Sequence, residues 1–301
     1  MLLLFLACTE PPPPPPAVRP SERKAAEVES EPALTWIDGR RVCDLGVDRL
    51  TGDDGAYEAS GLTLHDGRLF VAFDNSGRIL SLAPDLTSAT LAPPVDADDF
   101  EAITSAGSHL FIAEEDGAIV TWQDEAVTAR APVAVKTKKG KGIEGLAWAA
   151  CQETLLALCE GGCDGGGPLV ALRLEGAAWS ATSISLPVDF KDYAGLALYS
   201  AEACPSDYTL AVLSQKSAAL WIGALSHADG AWTVGAGETL PLPRDAAGKT
   251  IYTTAEGVVF LAEDRLAVVT DSEDDHPHCG PLARPPTDAR HADQAVHIFQ
   301  R

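Results

Sequence analysis

The chain is short of positive charge. Lysine and arginine together number 22 against 44 aspartates and glutamates, a formal net charge of −22. Nucleic acid is held by clustered Lys and Arg, so this balance excludes a nucleic-acid partner. It equally opposes docking on anionic lipid through protein charge. No run of about 18 apolar residues is present, so no helical membrane crossing is encoded. No segment keeps a helical period. The sequence has no Gly-x-Ser-x-Gly elbow and no second Cys or His pair at zinc spacing, which leaves no assignable serine nucleophile or structural zinc. Methionine occurs once in 301 residues, in keeping with an oxidising compartment. What is there is globular: 46% of residues are hydrophobic, and the length allows one large domain or two small ones with a core that needs no metal staple.

The N-terminus reads as a truncated lipoprotein signal, or else as an ordinary signal fragment or a stray hydrophobic start. An apolar run from Met1 ends at Phe5-Leu6-Ala7-Cys8, which resembles a bacterial lipobox with Cys8 as the lipidated residue. Phe5 replaces the usual Leu, and the basic start is missing; a start codon placed too far downstream accounts for both. Residues 9–33 then hold Pro11 to Pro16, Pro20, Pro32 and alternating charges. The proline run forms a stiff polyproline rod, rising roughly 3 Å per residue. The expected layout is a truncated signal peptide and lipobox over 1–8, an acidic proline-rich tether over 9–33 and a single domain over 34–301. This places the chain in the bacterial cell envelope, as a periplasmic or surface lipoprotein that meets the membrane through its anchor alone.

The body of the chain repeats. Five segments share a small or acidic residue, a Gly or Ala, an apolar strand, a turn, a second apolar strand and an acidic end. The small residues stand at Gly61, Ala102, Gly145, Gly195 and Gly257, spaced by 41, 43, 50 and 62. A third strand follows each pair and a weaker fourth strand follows in the first four repeats. This is the cadence of four-stranded propeller blades. The last repeat stops after its third strand. The missing strand comes from the N-terminus, read as Leu34–Ile37, a turn at Asp38-Gly39, then Arg41–Cys43. The fold class is therefore all-β, a five-bladed β-propeller (six blades as the alternative count) whose ring is closed by an N-terminal strand. It is expected to be a monomer.

Glycines at the inner strands are explained by close approach around a narrow channel. The carboxylates beside them need another reason. Glu101, Glu144 and Glu256 precede inner strands. Asp74, Glu114, Glu160 and Asp271 end second strands on the same face, with Glu58 and Asp192 nearby. Acids so crowded raise one another's pKa unless a cation compensates, and Ca²⁺ takes six to eight such oxygens. The competing reading is a solvated acidic rim.

The cadence Ser60-Gly61-Leu62-Thr63, Asp99-Phe100-Glu101-Ala102-Ile103, Gly142-Ile143-Glu144-Gly145-Leu146-Ala147 and Ala255-Glu256-Gly257-Val258 resembles the SdiA-regulated family of bacterial propeller proteins over roughly 55–301. It is also similar to the esterase-like phytase group. The first resemblance implies an envelope propeller with calcium at its channel mouth. The second implies hydrolysis of esters or phosphoesters. The chain departs from the pattern at Ala194, where Glu is expected, and at Ser214-Gln215-Lys216, where an acid is expected.

Lys136, Lys138, Lys139 and Lys141 form the single basic run. They lead into the acidic mouth, where Lys139 and Lys141 offer an anion clamp, or else a solvated loop that offsets local charge. His276, His278 and Cys279 lie in an acidic loop that reads as a cover over the mouth. Of seven cysteines, Cys8 is set aside for lipid, which leaves three disulfides. Cys151 and Cys204 fall in equivalent turns of neighbouring blades and make the best pair; Cys159 with Cys163 and Cys43 with Cys279 follow by exclusion. Two function classes remain. One is a binding or scaffold propeller for a protein, glycan or small anionic ligand, with a Ca²⁺ site. The other is a metal-dependent hydrolase of esters, lactones or phosphoesters, with Glu144 or Glu256 as ligand or base.

Overall fold

The structure, a computed structural model, describes residues 34–46, 57–97, 99–135, 141–163, 167–271, 282 and 294–301. The described residues all belong to one compact unit, Pro32–Arg301. Strand β1 (Thr35–Arg41) comes first. Blade I is β2 (Ala59–His65), β3 (Arg68–Phe73), β4 (Ile79–Leu82) and β5 (Ala89–Leu91). Blade II is β6 (Phe100–Ala106), β7 (His109–Glu114), β8 (Ala118–Gln123) and β9 (Ala126–Pro132). Blade III is β10 (Ile143–Ala149), β11 (Thr154–Cys163), β12 (Gly167–Glu175) and β13 (Ala178–Ile184). Blade IV is β14 (Gly195–Tyr199), β15 (Asp207–Ser214), β16 (Ala219–Ala228) and β17 (Ala231–Pro241). Blade V is β18 (Ala255–Ala262), β19 (Arg265–Thr270), β20 (Ala295–Gln300) and, closing it, β1.

Each blade is an antiparallel meander. The inner strands β2, β6, β10, β14 and β18 contact one another in that order, and β18 returns to β2. This is the five-bladed β-propeller expected from the repeats. The buried side chains sort into five clusters, one between each pair of neighbouring blades: Phe73 with Val269, Ile103 with Ile79, Leu146 with Ala113, Leu196 with Leu158 and Leu266 with Leu213 are examples. Strand side chains alternate between two faces, so both faces of a blade must be apolar to fill two such clusters. That is why strands such as Leu155–Cys159 read as unbroken apolar runs.

The N-terminal closure differs in one respect. Asp38-Gly39 is not a turn. β1 runs through it, pairing Asp38 with Ile298 and Gly39 with His297, and a bulge between Trp36 and Asp38 absorbs the irregularity. Gly39 is needed for close packing: a Cβ there would lie 3.0 Å from His297 Nδ1 and 3.2 Å from Trp36 Nε1. Trp36 Nε1 donates to that same Nδ1 at 3.3 Å. Burial holds His297 neutral, with its pKa lowered to about 3.

Two disulfides join described residues, Cys151–Cys204 between blades III and IV and Cys159–Cys163 within blade III. Both match the expected pairs. Cys43 is also disulfide-bonded; Cys279, expected as its partner, lies outside the described residues, as do Cys8, Lys136, Lys138, Lys139, His276 and His278.

Candidate functional site

The five small residues sit where neighbouring inner strands come closest. A Cβ on Gly257 would lie 2.7 Å from Leu62 N, and one on Gly145 would lie 2.8 Å from Leu196 N. Both obstacles are backbone, so a larger residue would push a neighbouring blade outward.

Immediately before the small residue, four of the five inner strands carry a β-bulge. The register shifts between Ala59 and Gly61, Phe100 and Ala102, Ile143 and Gly145, and Ala255 and Gly257. The extra residue in each is Ser60, Glu101, Glu144 or Glu256. A bulge leaves one residue unpaired and re-aims its side chain. All four line a cavity of about 190 Å³ at the channel mouth. Blade IV has no such bulge, and Ala194 takes the corresponding place on the wall.

A second tier stands beside the first. The residue after each second strand's last pair returns its backbone N–H to the inner strand's approach: Asp74 to Glu58 O at 3.0 Å, Glu115 to Asp99 O at 3.0 Å, Glu160 to Gly142 O at 3.4 Å and Asp271 to Thr254 O at 2.7 Å. Gln215 holds this place in blade IV and donates through Nε2 to Glu256 Oε1 at 2.7 Å. Among the described residues eight carboxylates therefore share the mouth, from Glu101, Glu144, Glu256, Asp74, Glu115, Glu160, Asp192 and Asp271.

One sequence-predicted member is elsewhere. Glu114 pairs with Phe100 inside the strand and is 1% exposed, with its Oε1 held by Arg130 Nη2 at 2.7 Å. Its chain neighbour Glu115 has the place assigned to it. Glu101, Glu115 and Glu144 offer carboxylate oxygens that all lie within 4.8 Å of one another. Sequence reasoning missed Glu115, although a signal was available: Ala102 and Glu115 are as far apart in the chain as Gly61 and Asp74.

The electrostatics are those of carboxylates without enough compensation. Burial raises Asp74 to about 8, helped by the charges of Glu58 and Asp271. Burial raises Glu101 to about 10, with Glu144 and Glu115 as the nearest repelling charges. Glu144 rises to about 7 through burial and the charges of Glu160 and Glu115. Glu256 is pushed well above the carboxylate range, again by burial first and then by Glu144. Asp74 Oδ1 is buried with no hydrogen-bond partner.

The blade III–IV side of the mouth is different. Glu160 Oε1 meets Lys141 Nζ at 2.8 Å and Lys216 Nζ at 3.2 Å. Burial pushes Glu160 up, but the two lysines outweigh it and hold the carboxyl below its ordinary value. Asp192, 3% exposed, accepts the Lys216 N–H at 3.0 Å and the Ser214 hydroxyl at 2.5 Å. The departures at 214–216 thus supply an amide and a cation where the other blades supply acids. The other end of the inner strands holds a cavity of about 210 Å³ lined by residues such as Leu64, Trp148 and Phe260, with no charged side chain.

The donor set fits a hard cation. Oxygens about 2.3–2.6 Å from one Ca²⁺ lie within about 5 Å of each other, the spread of the Glu101, Glu115 and Glu144 oxygens. The unpartnered Asp74 Oδ1 and a row of carboxylates raised by burial and by one another's charge agree with it.

Comparison with solved structures places the chain among β-propeller proteins. Glutaminyl cyclase from Myxococcus xanthus matches with a TM-score of 0.51 at 14% identity, over 89% of this chain and 97% of that one. The PQQ-bound aldose sugar dehydrogenase from Streptomyces coelicolor matches at 0.45 and 12% identity, over 87% of this chain and 98% of that one. Catalytically inactive virginiamycin B lyase from Staphylococcus aureus, with quinupristin, matches at 0.43 and 12% identity, over 84% and 68%. At these identities the likeness is one of fold. No family model and no curated protein matches the chain.

Proposed function

We propose that the protein is an exported, lipid-anchored binding propeller of the bacterial envelope, whose acidic mouth takes a divalent cation, Ca²⁺ by its chemistry. The observation that carries this is the convergence of Glu101, Glu115 and Glu144, from two adjacent blades, on a point that three oxygens can share. Asp74, Glu256 and Asp271 complete an oxygen-rich wall. A bound cation supplies the countercharge that offsets the burial and mutual repulsion raising Asp74, Glu101, Glu144 and Glu256. It also leaves Lys141 and Lys216 beside it, so an anionic group on a protein, glycan or small-molecule partner would meet positive charge from both. The motif resemblance to the SdiA-regulated family agrees with this role.

The same neighbourhood supports a second reading, a metal-dependent hydrolase of esters, lactones or phosphoesters. Perturbed carboxylates in a cleft are characteristic of catalytic sites, and Glu144, raised to about 7, is suited to proton transfer near neutral pH. A bound cation would supply Lewis acidity for such chemistry. Binding is preferred because the hydroxyls on the wall are spent on backbone carbonyls, Ser60 Oγ donating to Phe100 O and Tyr193 Oη to Val188 O.

The two readings separate in one experiment. The protein, loaded with Ca²⁺, is offered a panel of p-nitrophenyl esters, lactones and phosphoesters. The binding reading expects no turnover above the Glu144→Ala background. Turnover that this substitution abolishes would establish the hydrolase instead.

A further inference from the structure

The end of blades I and II away from the acidic mouth holds a separate cavity of about 490 Å³, within the range of small-ligand sites. It exists because blade I has the shortest outer strands: β4 has 4 residues and β5 has 3, against 7 in β9 and β13 and 11 in β17. The blade's outer edge stops early and leaves Phe70 half-exposed on the cavity floor, beside a Trp122 that is 8% exposed. Phe70 and Trp122 meet edge to face there, with ring centroids 6.2 Å apart.

The rim is acidic. Asp66 comes from the β2–β3 turn, and Asp124 and Glu125 come from the β8–β9 turn, all three exposed. The one fixed cation, Arg68, is turned onto blade I, its Nε donating to Ser81 Oγ at 2.6 Å and its Nη2 to Ser81 O at 3.2 Å. The β8–β9 turn also holds its acid against backbone preference. Asp66-Gly67 and Asp229-Gly230 put glycine at the second left-handed position, whereas Glu125 occupies it at φ 62°. Glycine is the favoured residue there.

From the cavity, the half-exposed Phe70 on its floor and the three carboxylates, which outnumber Arg68, we infer that this cavity binds a small organic cation, an amine or quaternary ammonium carried on an apolar body. The apolar body fills the groove left by the short edge. The cationic head sits against the half-exposed Phe70 ring, whose quadrupole attracts it, and the carboxylates complement its charge. This site is separate from the cation site of the mouth and stands or falls without it.

The test is amide and indole NMR of the full chain titrated with benzyltrimethylammonium, benzyl alcohol and phenylacetate. The cation is expected to bind with a Kd on the order of 1 mM, shifting signals of Phe70 and the Trp122 indole N–H while leaving those of Glu101 and Glu144 in place. The alcohol should bind more weakly, and phenylacetate should not bind. Glu125→Gly should raise the melting temperature, by relieving the turn, and weaken the cation about two- to fivefold. Equal affinity for the neutral alcohol, an unchanged Kd in Glu125→Gly, shifts confined to the mouth, or no saturable response to the cation up to about 20 mM would each overturn the inference.

Discussion

Glu114 and Glu115 are consecutive, and their carboxylates serve opposite sides of blade II. Glu114 Oε1 lies 2.7 Å from Arg130 on the outermost strand, while a Glu115 oxygen stands within 4.8 Å of oxygens on Glu101 and Glu144 at the channel mouth. Strand alternation separates them, and the end of pairing at Glu114 frees Glu115 to turn inward. The two residues should therefore respond to mutation in opposite ways. Arg130→Ala removes the Arg130 charge from beside the buried Glu114 carboxylate and should destabilise by about 2–4 kcal/mol while leaving Ca²⁺ affinity unchanged. Glu115→Gln should leave stability in EDTA unchanged or raised and weaken Ca²⁺ at least tenfold. Paired melting curves and calcium titrations decide it.

The pH dependence of the cation-free protein follows from the direction of the shifts. Asp74, Glu101 and Glu144 have folded-state values raised to about 8, 10 and 7. Between the unfolded carboxylate range near 4 and these values, the folded state binds more protons than the unfolded one. Stability in EDTA should therefore fall as pH rises from about 5 toward 9. Saturating Ca²⁺ should flatten that slope. A cation-free protein that becomes steadily more stable over the same range would contradict the assignment.

Most of the fold was legible because propeller strands announce themselves twice, by apolar runs and by a repeat. The small residues at 61, 102, 145, 195 and 257 gave the blade count and the closure by a strand from the N-terminus. Two things were not legible. Bulges have no composition of their own, so the sequence shows Glu101 beside Ala102 but not that the pairing skips it and turns it into the channel. Where two acids stand together, composition alone cannot choose between Glu114 and Glu115; the spacing from Ala102, equal to that of Asp74 from Gly61, is what points to Glu115. The Asp38-Gly39 pair failed for a related reason. It is a strong turn signal, yet the glycine answers to His297, which is 258 positions away and invisible locally.

The inner ring tolerates no added side chain where backbone faces backbone. Gly145→Ala and Gly257→Ala would each place a Cβ within 2.8 Å of a neighbouring blade's amide nitrogen. Each should cost about 1–3 kcal/mol and lower the melting temperature by several degrees. Ala102 already carries a Cβ, so Ala102→Gly should have a much smaller effect. Melting curves of the three variants provide the check.

Cys151 and Cys204 tie blades III and IV at the turns that end β10 and precede β15, away from the acids. Replacing both by serine should remove about 2–4 kcal/mol, given a sequence separation of 53. The response to Ca²⁺ should survive. Loss of the calcium response in this variant would mean that the mouth depends on the disulfide as well as on its own carboxylates.

The most direct test of the central claim is thermal melting of the full chain in excess EDTA and in Ca²⁺ at about 100 times its Kd. A specific site stabilises by roughly 2.7 kcal/mol under those conditions, a rise of about 5–10 °C. That rise is expected for the natural sequence and should be lost in Glu101→Gln and Glu115→Gln. An identical melting temperature with and without Ca²⁺, across Mg²⁺ and Zn²⁺ as well, would contradict the cation site and return the eight carboxylates to a solvated rim.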